Sequence, residues 1–178
     1  MYNLYIFNIK ELIMKLFKQT LASILIFSTI ASAATFEQNG VKEGNNKISI
    51  GLYSIIPDEG DESITLYGQA GHFFSDDIEG LLDIMTTTRD GETSYYLAPG
   101  VNYYFAKTPV LTPYVGTQIY HFGDTGSDVT SYGGRVYGGA NYFLNENAAI
   151  TPEAGAEFFE LEEYLQSYVK VYLSYFFN

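Results

Sequence analysis

The sequence predicts an all-β protein, an eight-stranded antiparallel transmembrane β-barrel. Three observations predict it. Apolar and polar residues alternate with a period of two from residue 46 almost to the C-terminus. Turn-forming residues break that alternation at intervals. The alternating runs are also long, about 10–14 residues, which suits the tilted crossing of a bilayer better than the short strands of soluble sheets.

Residues 1–33 read as processing sequence. A complete export signal begins at Met14, with Lys15 and Lys18, an apolar run from Leu21 to Ile30, and then Ala31-Ser32-Ala33. Small residues at Ala31 and Ala33 suit a signal peptidase, so cleavage is expected after Ala33. A membrane anchor is the competing reading, but the apolar core is short for a span and the cleavage pattern follows directly. Residues 1–13 precede the whole signal, which points to Met14 as the true start. Residues 34–45 then form a short periplasmic segment, and residues 46–178 form the barrel domain. The whole chain carries a net charge of −12 and has no Cys. Such acidity excludes a nucleic-acid binder, which needs cations against phosphates. The lack of Cys excludes a disulfide framework and thiolate chemistry.

Eight strands are expected, at 46–56, 63–73, 80–88, 93–106, 110–121, 129–143, 148–160 and 166–177. The breaks between them are PDEGDE, SDDIEG, RDGET, AKTP, GDTGSD, LNEN and ELEEYL, rich in residues that tolerate tight reversals. In strand one, Ile48, Ile50, Leu52 and Ile56 oppose Lys47, Ser49 and Tyr53. Strand two turns His72 to the apolar side, and strand three turns Asp83 to the polar side. In strand four, Tyr95, Leu97, Pro99, Val101, Tyr103 and Phe105 oppose Ser94, Asn102 and Tyr104. Strand five ends outwards at His121. In strand six, Ser131, Gly133, Arg135 and Asn141 oppose Tyr132, Val136, Ala140, Tyr142 and Leu144. Strand seven sets Glu153 and Glu157 against Ile150, Pro152, Ala154, Ala156 and Phe158. Strand eight sets Lys170 and Ser174 against Val169, Val171, Leu173, Tyr175 and Phe177.

Alternation alone suits either a soluble lipocalin-like barrel with apolar rows inside or a membrane barrel with apolar rows outside. The polar rows favour the membrane barrel, being rich in Gly, Ser, Tyr and Asn and poor in Lys and Glu. With both chain ends periplasmic, Tyr103, Phe105, Tyr142, Tyr175 and Phe177 fall on the outer wall at one interface. Tyr95, Tyr132 and Phe158 fall at the other, as amphipathic rings prefer.

Two segments carry a family resemblance. NYFLNENAAITPEAGAEFF (141–159) has an aromatic strand end, a Leu, a polar turn with Asn and an apolar-alternating strand with inward acids. LTPYVGTQIYHF (111–122) contains Pro-Tyr-Val-Gly. Both resemble the small outer-membrane β-barrel superfamily, the OmpA, OmpX and opacity-protein type. The resemblance implies a Gram-negative outer membrane, contact with its lipid and lipopolysaccharide, and insertion by periplasmic chaperones and the barrel-assembly machinery. Val169, Val171, Leu173, Tyr175 and Phe177 resemble that group's C-terminal assembly signal, with Asn178 as a departure after the last aromatic. No peptidoglycan-binding domain is expected after the last strand, and so no cell-wall tether.

The inward row holds Lys47, Asp83, Arg135, Glu153, Glu157 and Lys170. Isolated buried charges are costly, so these are expected to pair across the lumen, Lys170 with Glu153 or Glu157. A salt-bridged filling is favoured over an ion path, since an eight-stranded interior is just wide enough for side chains. Catalysis would need a Ser–His pair, and only Ser131 with His121 offers one; no catalytic residue, cofactor or resident metal is expected. Asp58, Glu59, Asp61, Glu62, Asp124, Asp128, Glu160, Glu162 and Glu163 crowd the outer loops and could hold Ca²⁺ or Mg²⁺. None has the spacing of a calcium loop, so a solvated acidic surface is expected. The expected role is structural or surface-presenting. The alternatives are a narrow porin-like channel for small solutes and a surface ligand-binding or adhesion protein.

Overall fold

The computed structural model describes residues 38–56, 63–89, 92–124, 130–159 and 165–178. The export signal with Ala31 and Ala33 and most of the expected acidic loops lie outside the described residues. Eight strands run in chain order: β1 (Asn46–Ile56), β2 (Ser63–Phe73), β3 (Ile78–Arg89), β4 (Glu92–Tyr104), β5 (Leu111–Asp124), β6 (Thr130–Phe143), β7 (Ala148–Phe159) and β8 (Leu165–Phe177). Each pairs antiparallel with its sequence neighbour, and β8 returns to β1 to close the barrel. That seam runs from Asn46 opposite Phe177 to Ile56 opposite Ser167, so neither terminal strand is left as a free edge.

Most strand boundaries fall within one residue of expectation; β5 runs to Asp124, three residues past its expected end, and two others differ by two residues for local reasons. β3 starts at Ile78, because the reversal takes only residues 74–77 and Phe74 N–H already donates to Ile78 O at 2.9 Å. β4 stops at Tyr104, and Ala106 enters the left-handed region at φ 47°, which a strand cannot continue.

The two rows separate cleanly. On the outer wall Ile119 is 70% exposed and Ile50 66%, whereas inward Asp83 and Glu79 are fully buried. The outer wall also exposes Tyr103, Phe105, Tyr175 and Phe177 towards the end carrying residues 38–45 and Asn178, and Tyr95, Tyr132 and Phe158 towards the other end. Tyr142 is the exception. It lies on the outward row, but it is 5% exposed, flanked by its register partners Leu111 and Ile150.

Inside, ring volume is accommodated by missing Cβ atoms. A Cβ on Gly116 of β5 would collide with the Asn102 side chain and the Tyr137 ring. Gly116→Val is therefore expected to destabilise the barrel by about 1–3 kcal/mol through overpacking. A urea titration of the folded protein, compared with Val at the outward neighbour Thr117, checks it.

One end of the lumen has an aromatic floor. The last inward residue of each even-numbered strand is aromatic: Phe73, Tyr104, Phe143 and Phe176, none more than 1% exposed. Phe73 lies 5.5 Å from Tyr104 and 6.0 Å from Phe176, and Phe143 lies 4.9 Å from Phe176, ring centre to ring centre. Each backbone N–H of the four donates to the carbonyl just before the neighbouring odd strand: Asn45, Asp77, Val110 and Asn147. The same geometry thus repeats around the barrel and sets the floor level. Residues 38–45 cross the mouth beneath it, with Val41 buried in the same apolar cluster.

Candidate functional site: the ion-paired interior

Alternation puts a polar side chain from nearly every strand into one narrow space, and closure brings them within bonding distance. The buried charged residues among those described are Lys47, Arg135 and Lys170 against Glu79, Asp83, Glu153 and Glu157. All six expected inward ions are among them. Glu79 is the addition. Its composition places it in the turn SDDIEG, but the early start of β3 sets it two residues before Leu81 and four before Asp83 on the inward row.

Three acid centres organise the interior. Nearest the floor, Glu79 Oε1 lies 2.6 Å from Lys47 Nζ. Its Oε2 accepts from Asn102 Nδ2 at 2.9 Å and Tyr104 Oη at 2.6 Å. Deeper in, Asp83 is the hub. Its Oδ1 accepts from Gln69 Nε2 at 2.7 Å, and its Oδ2 accepts from Arg135 Nη2 at 2.8 Å and Lys170 Nζ at 3.1 Å. Glu153, opposite Lys170 in register, accepts from the Tyr114 hydroxyl at 2.9 Å and the Tyr168 hydroxyl at 3.0 Å. Lys170 reaches Glu153 at 3.8 Å but sits closer to Asp83, so its principal partner lies across the lumen rather than on β7. Glu157 is the register neighbour of Arg135 and Gln166.

The two central cations are also wrapped in rings. The Arg135 guanidinium lies 5.2 Å from the Tyr96 ring centre and 5.6 Å from that of Tyr168, and its Nε donates to Gln118 Oε1. Lys170 Nζ lies 4.8 Å from the Tyr67 ring and 5.0 Å from Tyr168. Ring faces are negative, so they supplement the carboxylates where water is excluded. A run of hydroxyls lines the wall between β1 and β6. Thr151 donates to Asn141 Oδ1 at 2.8 Å, so its single proton is used and it accepts from Ser174 at 3.0 Å. Ser174 in turn accepts from Ser49 at 2.9 Å. Such a network holds side chains in fixed rotamers, and its burial leaves Lys47, Arg135 and Lys170 no more than 2% exposed.

The other expected features fall on the walls or the rim. Val169, Val171, Leu173, Tyr175 and Phe177 all face outward from β8, the last four well exposed. His72 faces outward near the floor end and its Nδ1 lies 2.9 Å from Asn46 Oδ1. His121 faces outward near the opposite rim, its ring 5.6 Å from Tyr95 and 4.8 Å from Tyr132. Its register partner on β6 is Tyr132, so Ser131 belongs to the inward row and the Ser131–His121 pair is not formed. Alternation forbids it, because successive residues point to opposite faces. Among the described residues, no group of His, Asp and Glu is arranged to hold a metal ion.

No protein-family profile and no curated protein matches the chain. Solved structures do. The N-terminal β-barrel domain of Pseudomonas aeruginosa OprF matches with a TM-score of 0.60 at 17% identity, over 76% of this chain and 98% of that one. Pseudomonas aeruginosa OprG matches at 0.55 and 16% identity, over 81% and 100% of the two chains. A de novo designed transmembrane β-barrel matches at 0.54 and 18% identity, over 80% and 100%. A designed protein scoring beside two natural ones shows that the likeness is one of architecture. The chain has the fold of the small eight-stranded outer-membrane β-barrels.

Proposed function

We propose that this protein is a small barrel of a Gram-negative outer membrane, with a structural or surface-presenting role and no catalytic one. The observation that carries the reading is the inversion of the usual protein pattern. Ile50, Ile119, Val136 and Leu173 are more than half exposed on the outer wall, while Lys47, Asp83, Arg135 and Lys170 are sealed inside. An outer wall of that kind is stable in hydrocarbon, and the closed ladder leaves no strand edge unsatisfied there. In this reading the chain is exported and cleaved after Ala33, escorted by periplasmic chaperones and inserted by the assembly machinery through the outward row of β8. It contacts lipid along its wall and lipopolysaccharide at the loop rim, and presents acidic loops outside. The inaccessibility of the interior ions favours a filled barrel over the alternative of a narrow channel for small solutes.

Two measurements test it. Unboiled protein from the outer-membrane fraction is expected to migrate differently on a gel from boiled protein; recovery in the osmotic-shock fraction would overturn the membrane assignment. In planar bilayers the purified barrel is expected to pass no steady current. A steady conductance that Arg135→Ala or Glu157→Ala abolishes would replace the filled barrel with the channel.

A further inference from the structure

We propose that residues 38–45 form a latch that docks only on the completed barrel and locks the seam between β1 and β8. The segment touches the barrel at points far apart in the chain. Asn39 Nδ2 donates to Thr108 O at 2.8 Å and Pro109 O at 3.1 Å, on the β4–β5 turn. Glu43 N–H donates to Asp76 Oδ1 at 2.9 Å, on the β2–β3 turn. Gly44 N–H donates to Phe73 O at 2.9 Å, at the end of β2. Gly40 lies against Phe176 of β8 so closely that a Cβ there would collide with the Phe176 side chain. Val41 completes the contact by burying its side chain in the cluster that contains Phe73, Tyr104 and Phe176.

Reach makes this arrangement conditional on closure. Gly40 precedes the first residue of β1 by six positions, so it lies at most about 20–22 Å from the start of that strand. In an open sheet β8 is seven strand spacings away from β1, about 34 Å at about 4.8 Å each. Gly40 therefore meets Phe176 only after β8 has come round to pair with β1. The contacts with β2 and its turn are accessible earlier, but they lack the apolar floor that buries Val41, since Phe176 is one wall of it. The Gly40–Phe176 contact and the burial of Val41 then stabilise the closed barrel and not an open sheet, while the bonds to the β2–β3 and β4–β5 turns hold the segment in place, so undocking precedes opening at the seam.

Interactions made after the rate-limiting step slow unfolding more than they speed folding. The chain has no Cys, so a single Val41→Cys variant gives a clean reporter. During refolding into lipid vesicles, the introduced thiol is expected to become protected from a bulky maleimide no earlier than the folded gel band forms. Protection before that band, or full reactivity in the folded barrel, would overturn the latch. Adding Gly40→Val is expected to restore labelling of that thiol in protein that still gives the folded band, and to speed unfolding in urea by about tenfold. An unchanged unfolding rate would overturn the lock. If Gly40→Val does not fold, Asn39→Ala takes its place, since it removes both bonds to the β4–β5 turn. The same restored labelling and faster unfolding are then expected, and the absence of either would overturn the proposal.

Discussion

Asp83→Ala is expected to be the most damaging single substitution in the interior, costing about 3–5 kcal/mol of folding stability. The carboxylate takes one bond from Gln69 and one from each of two cations, Arg135 and Lys170, and all four side chains are buried. Truncation leaves the two cations facing each other without their shared anion. Arg135 keeps Gln118, while Lys170 keeps a 3.8 Å approach to Glu153 that is too long for a good hydrogen bond. The cost comes from leaving two buried cations beside each other without their nearest shared anion rather than from the lost contact, and this distinction can be measured. Adding Lys170→Met to Asp83→Ala removes one of the two neighbouring cations and is expected to recover part of the loss. Urea titrations of the folded band for the two single variants and the double variant supply the cycle. A loss under about 1 kcal/mol in Asp83→Ala would mean that water solvates the cluster and that the interior is not filled.

The strand count, the faces and the inward ions are legible in the sequence because one physical rule governs them. Successive side chains alternate, so a single charged residue such as Arg135 or Lys170 fixes the facing of its whole strand. The rule fails where it needs a starting point. Glu79 escapes it because SDDIEG has the composition of a turn, and only the 74–77 reversal shows that β3 has already begun. The signal is nonetheless present: Glu79, Leu81 and Asp83 form one row, and Ile78, Gly80, Leu82 and Ile84 form the other. Partner choice is legible only along the ladder. Register neighbours such as Glu153 and Lys170 can be guessed from adjacent strands, but the Arg135–Asp83 and Lys47–Glu79 bridges join β3 to β6 and to β1. Those distances depend on how far each strand slides relative to the next around the cylinder, and alternation carries no information on that. The same reason hides the floor. Phe73, Tyr104, Phe143 and Phe176 are ordinary residues singly, and become a layer only when closure aligns the ends of four strands. The latch is the least legible feature, because residues 38–45 have no periodicity and their partners lie on several different elements.

A depth profile along the outer wall distinguishes lipid from water directly, and it begins at Ile119. This residue sits in the middle stretch of β5, is 70% exposed, and pairs across the ladder with Gly134. In a bilayer, Ile119→Arg is expected to cost about 2–4 kcal/mol, the penalty for a cation near the midplane of a barrel's lipid face. Tyr132→Arg, on the same face of the next strand but nearer the rim, is expected to cost only about 0–1 kcal/mol, because the guanidinium reaches the headgroups. If water covered the wall, both changes would be ordinary surface substitutions within about 0.5 kcal/mol of neutral, and no gradient would exist. Reversible unfolding of each variant from lipid vesicles measures the pair. The comparison also separates solvent from packing, since Tyr132 contacts the His121 ring while Ile119 is the more exposed of the two. Packing loss alone would therefore make Tyr132→Arg the worse variant, and burial in hydrocarbon makes Ile119→Arg the worse one. The sign of the difference decides which solvent the wall was built for.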